Sequence, residues 1–261
     1  MARFKLVIEY AGTNYSGWQI QQNARTVQGE IDRVVREVTG QKQFEIYGSG
    51  RTDAGVHALA QVAHLDIITA IPARVMKQRI NDGLPADINI LSLDLAQRKF
   101  HARHDAVARS YLYQIARRRT AFAKRFVWWV RDDLDLDRMR AAAMRFSGMK
   151  DFRSFTADSP DDKSTLVAID RVEIAEQGDL ILIRVEGSHF LWKMVRRIVG
   201  VLVDVGRGAT SLAEAEGFLR TESDIPAKLT APASGLFLER VYYRGDDRLS
   251  TLRPALLVLS S

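Results

Sequence analysis

The chain contains no cysteine in its 261 residues. Disulfides and thiolate metal sites are excluded, and with them secreted disulfide scaffolds and the zinc deaminases, whose metal needs cysteine ligands. A reducing, cytoplasmic compartment fits this absence. Long apolar runs are missing too. The opening stretch, Met1-Ala2-Arg3-Phe4-Lys5-Leu6-Val7-Ile8-Glu9-Tyr10, breaks its apolar residues with charges, so no signal peptide is expected, and nothing is apolar enough for long enough to span a bilayer. Neither a Gly-rich phosphate loop of the nucleotide-binding kinds nor a strand–GxSxG–helix elbow occurs. His101 and His104 stand three apart, but no carboxylate–histidine pattern of metal-site spacing surrounds them, so no metal is expected. No linker rich in Pro, Gly or Ser divides the chain, which favours rigid packing over tethering.

What is present is an ordinary globular composition, 46% hydrophobic and 27% charged, long enough for one large or two modest domains. Lys and Arg number 38 against 32 acidic residues, a net charge of +6 that suits a polyanionic partner such as nucleic acid. The basic residues Arg117, Arg118, Arg119, Lys124 and Arg125 lie among Phe122, Phe126, Trp128 and Trp129. Such interleaving can hold phosphates and stack on bases; a solvated hairpin tip over a tryptophan core explains it equally well.

Periodicity gives the elements. Phe4, Leu6, Ile8 and Tyr10 alternate as a strand with one buried face. A helix is predicted from Thr26, its cap, to Gly40, with Val27, Ile31, Val34, Val35 and Val38 inward. Strands follow at 44–47 and 61–67, then a helix begun at Pro72 and ended by Asp82-Gly83, with Val75, Met76 and Ile80 on one side, and a strand at 88–93. The order then recurs. A strand is predicted over 107–116, a helix over 136–146, and a hairpin of 165–175 and 180–185 about Gln177-Gly178-Asp179. The longest helical pattern runs from His189 to Val205. Ser211-Leu212-Ala213-Glu214 reads as a capping box, and 236–243 as the last strand. The fold class is therefore α+β, with an N-terminal half over 1–105 and a C-terminal half over 106–261. No sequence repeat supports this duplication; it rests on element order alone.

One stretch is not explained by packing: Gly48-Ser49-Gly50-Arg51-Thr52-Asp53-Ala54-Gly55-Val56-His57-Ala58. Three glycines make it a loop between strands, with Arg51 and Asp53 two apart. A carboxylate beside a guanidinium is a candidate reactive or anchoring site, whereas an Asx-turn with a solvated arginine is the ordinary alternative. Arg196 lies on the long helical pattern with uncharged neighbours Trp192, Val199, Gly200 and Val203. Its guanidinium there needs an anionic partner or must reach water. Arg197, beside Lys193 and Asp204, is expected to be solvated. Tyr111 sits on a strand face with Val107 and Tyr113, where a tyrosine is ordinarily core. Three functional classes fit these residues: an RNA-modifying isomerase with Asp53 as nucleophile, an RNA-binding protein without chemistry, and a hydrolase with Asp53 as general base. Arginines favour the ionised form of a nearby carboxylate, which suits a nucleophile better than a base.

The eleven-residue loop closely resembles the signature of the tRNA pseudouridine synthase A (TruA) family. Further pieces resemble that family along nearly the whole chain: Tyr10 to Gln19, Thr26-Val27-Gln28, Leu84 to Ile88, Phe100 to Arg103, Arg109 to Tyr113, Asp151 to Phe155, Phe190 to Arg196 and Ala231 to Leu236. The resemblance implies two similar α/β halves whose sheets join in one mixed, mostly antiparallel sheet with a central active-site cleft. It implies isomerisation of uridine to pseudouridine at positions 38, 39 and 40 of the tRNA anticodon stem-loop. It makes Asp53 the catalytic residue, Arg196 the arginine that pairs with it, Tyr111 the tyrosine that packs on the target base, and Leu236 an apolar wall of the pocket; Arg51 belongs to the same signature and is counted with the substrate-binding residues. No cofactor is expected, and the partners implied are tRNA and a second copy of the chain. Met149-Lys150 departs from the family, which commonly has an acidic residue and a histidine there; a neutral surface change is expected. The tail Ala255-Leu256-Leu257-Val258-Leu259 is apolar enough to dock on its own body or on a partner.

Overall fold

Alternation builds the first strand. In β1 (Ala2–Tyr10) every second residue from Phe4 to Tyr10 is buried and the residues between are half-exposed. The computed structural model describes residues 1–158 and 164–258, so Leu259 of the apolar tail lies outside the described residues. Two compact units emerge: Met1–Val107 with Leu238–Asp247, and Ala108–Phe237 with Arg248–Ser261.

In the first unit β1 is followed by a 3-10 turn at Gly12–Asn14 and by α1 (Val27–Thr39). The helix begins where the Thr26 hydroxyl accepts from Gly29 N at 3.2 Å, and ends at Gly40 in the left-handed region, as the sequence predicts. Strands β2 (Glu45–Gly48) and β3 (His57–Ile67), helix α2 (Ala73–Gly83) and strand β4 (Ile88–Leu95) complete the chain-local part. β1 pairs antiparallel with β3 and β4, and β2 with β3. Ile31, Val34, Val35, Met76 and Ile80 are fully buried where α1 and α2 pack together. Val75 does not share that face: it is exposed, one position off the 3.6 period that buries Met76 and Ile80.

The second unit holds β5 (Ala106–Ala116, from Ala108 on), β6 (Trp128–Trp129), α3 (Leu136–Arg145), β7 (Gly148–Asp151), β8 (Leu166–Gln177), β9 (Leu180–Gly187), α4 (Met194–Gly206), α5 (Leu212–Gly217) and α6 (Ile225–Lys228). Its strand order is β5-β9-β8-β7, all antiparallel, with β6 parallel to β5. The last strand, β10 (Leu236–Tyr243), starts in the residues of this unit and ends in those of the first. The predicted capping box is present: Ser211 Oγ accepts from Glu214 N while Glu214 accepts from Ser211 N.

Helix α4 is shorter than its periodicity. The pattern from His189 predicts a helix five residues longer at its start. Instead Lys193 adopts φ 63° and ends the preceding loop, where the Asp158 carboxylate accepts from Trp192 N at 3.1 Å and Ala157 N donates to Trp192 O. The apolar residues that extend the pattern serve the loop, not the helix. Met149 and Lys150 are exposed on edge strand β7, as expected for a surface change. The segment before the tail, and the tail's first residue, dock on their own unit through polar contacts. Arg171 donates to Leu249 O at 2.6 Å, fully buried Arg184 to Thr251 O at 2.8 Å, and Ala255 N to Gln114 Oε1 at 2.7 Å. Of the apolar tail residues, Val258 is buried whereas Leu256 and Leu257 are exposed.

Candidate active site

The Asp53 loop is held from several directions inside the first unit. At its start Ser49 N donates to Val62 O at 2.7 Å and Ser49 Oγ pairs with Gln61 Oε1 at 2.7 Å; Gln61 Nε2 returns to Gly50 O. At its centre the Thr52 hydroxyl meets the Tyr10 phenol at 2.8 Å, and Thr52 O accepts from Trp18 N at 3.1 Å. Beyond it Gly55 N donates to Tyr15 O, Val56 N closes a turn onto Asp53 O at 3.1 Å, and Gly12 N donates to His57 Nδ1 at 3.0 Å. Asp53 is half-buried on this frame and Arg51 is exposed. Arg51 makes no hydrogen bond or ion pair among the described residues, so the two do not form a salt bridge with each other.

Residues 10–18 are the cradle of this loop. Tyr10, Tyr15 and Trp18 are almost fully buried, and the rings of Tyr10 and Trp18 stack at 6.1 Å. Two glycines make the approach possible. A Cβ on Gly12 would lie 1.9 Å from Val56 O, and one on Gly17, whose φ is +94°, 2.5 Å from Thr52 O. The far side is anchored at Asp87, whose carboxylate accepts from the Tyr15 phenol and from Asn14 Nδ2. Burial first, and then this carboxylate, push the Tyr15 phenol well above its usual range, so it stays a proton donor. In the sequence, alternation marks Tyr10 as an inward strand residue, and the Tyr10–Gln19 piece is otherwise part of a resemblance. Its physical role, two glycines against one loop backbone, has no local signal.

Tyr111, Arg196 and Leu236 belong to the second unit. Tyr111 stands on β5 opposite Val185, half-buried, with the Phe190 ring edge-on at 5.0 Å. Arg196 lies in the first turn of α4, half-buried. Its Nε donates to Ala231 O at 2.7 Å, and Ala231 N donates to the backbone carbonyl of Arg196 at 3.0 Å. One turn on, Gly200 lets the same strip of chain pass: a Cβ there would be 1.7 Å from Leu229 O. The strip continues to Pro232, whose carbonyl accepts from the buried Tyr113 phenol at 2.8 Å, and through a 3-10 turn at Ala233–Gly235 to Leu236, which is buried. Arg196 and the chain leading to Leu236 are thus fixed together.

Arg197 is a correction. It is not solvated but half-buried, with Nη1 donating to Ser154 O at 3.1 Å and to Thr156 O. Its Nε is the buried side-chain nitrogen left without a partner among the described residues, and burial lowers the pKa of the guanidinium. The carbonyls of the 154–156 loop draw it inward, which a helical wheel cannot show.

The basic stretch after β5 divides. Arg117 pairs with Glu176 at 2.5 Å and Arg118 with Asp179 at 2.6 Å, so both charges are met locally. Arg119 and Lys124 form no ion pair among the described residues. Elsewhere, no cluster of three or more His, Asp or Glu that could hold a metal occurs among the described residues, and no helix of theirs is long and apolar enough to cross a membrane.

Comparison with known proteins names the fold that carries this loop. A family model described as tRNA pseudouridine synthase matches residues 6–105 and 142–244. The chain is 42% identical over 245 residues to the tRNA pseudouridine synthase A of Pelobacter propionicus, covering 93% of this chain and all of that one. It is 40% identical to that of Geotalea uraniireducens over the same shares, and 37% identical over 252 residues to that of Geobacillus kaustophilus, covering 96% of this chain and 98% of the other. A solved archaeal box H/ACA Nop10-Cbf5 complex aligns with 77% of this chain and 43% of its own at 11% identity and a TM-score of 0.33, too loose a likeness to carry an argument. With matches of this length and identity, the chain belongs to the tRNA pseudouridine synthase family.

Proposed function

We propose that this protein isomerises uridine to pseudouridine at positions 38, 39 and 40 of the tRNA anticodon stem-loop, with Asp53 as the nucleophile. The observation that carries the reading is the frame around Asp53. A half-buried carboxylate projects from a loop pinned by backbone and buried hydroxyl contacts from residues 10–18 and 61–62, and the family of the chain is that of the tRNA pseudouridine synthases. Preorganisation of this kind is what an attacking group needs, because a displaced nucleophile loses most of its effective concentration.

In the reaction the bond from uracil N1 to the ribose breaks, the base turns, and a bond from C5 to the same ribose carbon forms. C5 gives up its proton and N1 gains one, so the mass is unchanged and no redox partner or cofactor is needed. The target base must first leave its stack, at a cost of a few kcal/mol that phosphate contacts offset. The same reading assigns substrate binding to Tyr111, Arg51, Arg196 and Leu236. A ring fixed edge-on by Phe190 suits packing on a base, and a buried leucine suits a pocket wall. Arg51, exposed beside Asp53 in the chain, suits a phosphate. The enzyme acts as a homodimer in the cytoplasm, one tRNA touching both subunits; light scattering with and without tRNA tests the dimer.

The direct test of the reading is modification mapping. Unmodified tRNA transcripts bearing uridine at 38, 39 and 40 are incubated with the purified protein and mapped by carbodiimide adducts that stop primer extension. Stops at those three positions are expected; stops elsewhere, or none, would refute the assignment.

A further inference from the structure

The basic stretch that follows β5 contains a second feature independent of Asp53. Strand β6 is two residues long, with Trp128 beside Ile115 and Trp129 beside Ala116, and Val130 N donates to Ala116 O at 3.1 Å. Alternation sends the two indoles to opposite faces. Trp128 packs edge-on against Tyr113 at 6.3 Å, whereas Trp129 is left 43% exposed. The loop from 117 to 127 arches beside it and is held in place: Ala123 N donates to the Thr120 hydroxyl, Phe126 N to Ala123 O, Gln114 Nε2 to Phe126 O at 3.0 Å and Ser234 Oγ to Val127 O at 3.2 Å. Between loop and strand lies a cavity of about 310 Å³ lined by Arg119, Thr120, Lys124, Val127 and Trp129. That volume falls at the lower end of small-molecule sites, about 300–1,000 Å³.

The chemistry of the lining is specific. An indole face and a buried valine offer a stacking surface. Two cations stand with them in the lining, and unlike Arg117 and Arg118 these two have no acidic neighbour paired to them among the described residues. Had the stretch served only solubility, the same salt bridges would be expected along it. An aromatic surface edged by unneutralised cations fits a nucleotide: the base stacks on the indole, and the phosphate lies between guanidinium and ammonium. Phe122, on the same loop, is 99% exposed.

We propose that Trp129, Arg119 and Lys124 form a nucleotide subsite that takes one unpaired nucleotide of the RNA substrate, apart from the target uridine. The subsite rests on reading the substrate as RNA, and it governs affinity, not the chemical step.

Filter binding of an unmodified tRNA transcript to the full-length protein tests it, with Trp129→Leu, Trp129→Phe and the double variant Arg119→Gln/Lys124→Gln. Stacking on one base predicts a Kd raised about 5- to 100-fold by Leu and mostly restored by Phe, which keeps a ring. The double variant should lower the slope of log Kd against log salt by about 0.7, for the one phosphate contact set free on an unpaired strand, while Arg117→Gln, whose partner is Glu176, leaves that slope unchanged. Wild-type affinity in Trp129→Leu, a loss that Phe does not restore, or an unchanged slope in the double variant would each overturn the subsite. Pseudouridine content of the same samples keeps the two readings apart. Isomerisation with Trp129→Leu binding as wild type sinks the subsite alone; Trp129-dependent binding without any pseudouridine in wild type sinks the proposed function alone.

Discussion

The Tyr10 phenol oxygen lies 2.8 Å from the Thr52 hydroxyl, both buried, one peptide bond from Asp53. This contact joins the end of β1 to the centre of the candidate catalytic loop. Tyr10→Phe keeps the ring and its stack on Trp18 but leaves the Thr52 hydroxyl short of a partner. A stability loss of about 1–2 kcal/mol is expected in urea unfolding. Turnover should fall more than tRNA affinity, because the loop carrying Asp53 loosens while phosphate contacts remain. Equal losses of both would show that the contact serves the fold alone.

Gly17 and Gly40 both have positive φ, +94° and +68°, but only Gly17 has a backbone atom in the way of a Cβ. Gly40→Ala should cost about 1 kcal/mol, the price of a left-handed alanine. Gly17→Ala adds a clash with Thr52 O and should cost at least about 2 kcal/mol, with turnover lowered as well. Thermal unfolding of the two variants side by side checks the order, which a purely conformational effect would make equal.

Arg196 and Arg197 are neighbours with different expected phenotypes. Arg196→Met removes the Nε donor to Ala231 O and should cost about 1 kcal/mol of stability, while on the proposed function it cuts turnover per folded molecule by about 100-fold. Arg197→Met removes the donor to Ser154 O and Thr156 O and should cost about 2–3 kcal/mol of stability, with turnover per folded molecule retained. An Arg196→Met enzyme of normal turnover would return that residue to a structural role.

His64 gives a pH dependence. Burial, followed by the charges of Arg3 and His101, lowers its pKa to about 4, with Asp66 and Asp105 opposing. Tyr47, Phe100 and His101 surround the ring, and its Nδ1 accepts from Ala102 N at 3.2 Å. The unfolded chain takes up this proton more readily than the folded one. Stability present above the ordinary value of 6.5 is therefore lost as pH falls towards about 4. Urea midpoints should drop across that window, and His64→Gln should flatten the drop while lowering the midpoint at pH 7. A slope unchanged by the substitution would exclude His64 as its source.

Much of the fold was legible because its signals are local. Thr26 and Gly40 cap α1 where the sequence puts them, and 236–243 is a strand to the residue. What failed needed tertiary contacts. The apolar period running into α4 from His189 belongs to a loop, because Lys193 turns left-handed and Asp158 caps Trp192 N. Strand β6 is too short for any period, and Arg197 is drawn in by carbonyls forty residues away in the chain. At the candidate site Asp53 was conspicuous, whereas the cradle that holds it was not. Gly12 and Gly17 matter for what lies opposite them, and that appears only when the chain is folded.

The central claim is that Asp53 is the attacking group, and Asp53→Asn tests it most directly. Asn is nearly isosteric, and the loop is held by its backbone and by Thr52, so the variant should fold and retain tRNA on a filter. An amide is a poor nucleophile. The account predicts wild-type binding, intact RNA and no pseudouridine in Asp53→Asn. Turnover near that of wild type would mean that another residue attacks, and released base or cleaved RNA from the wild-type enzyme would mean hydrolysis; either result contradicts the account.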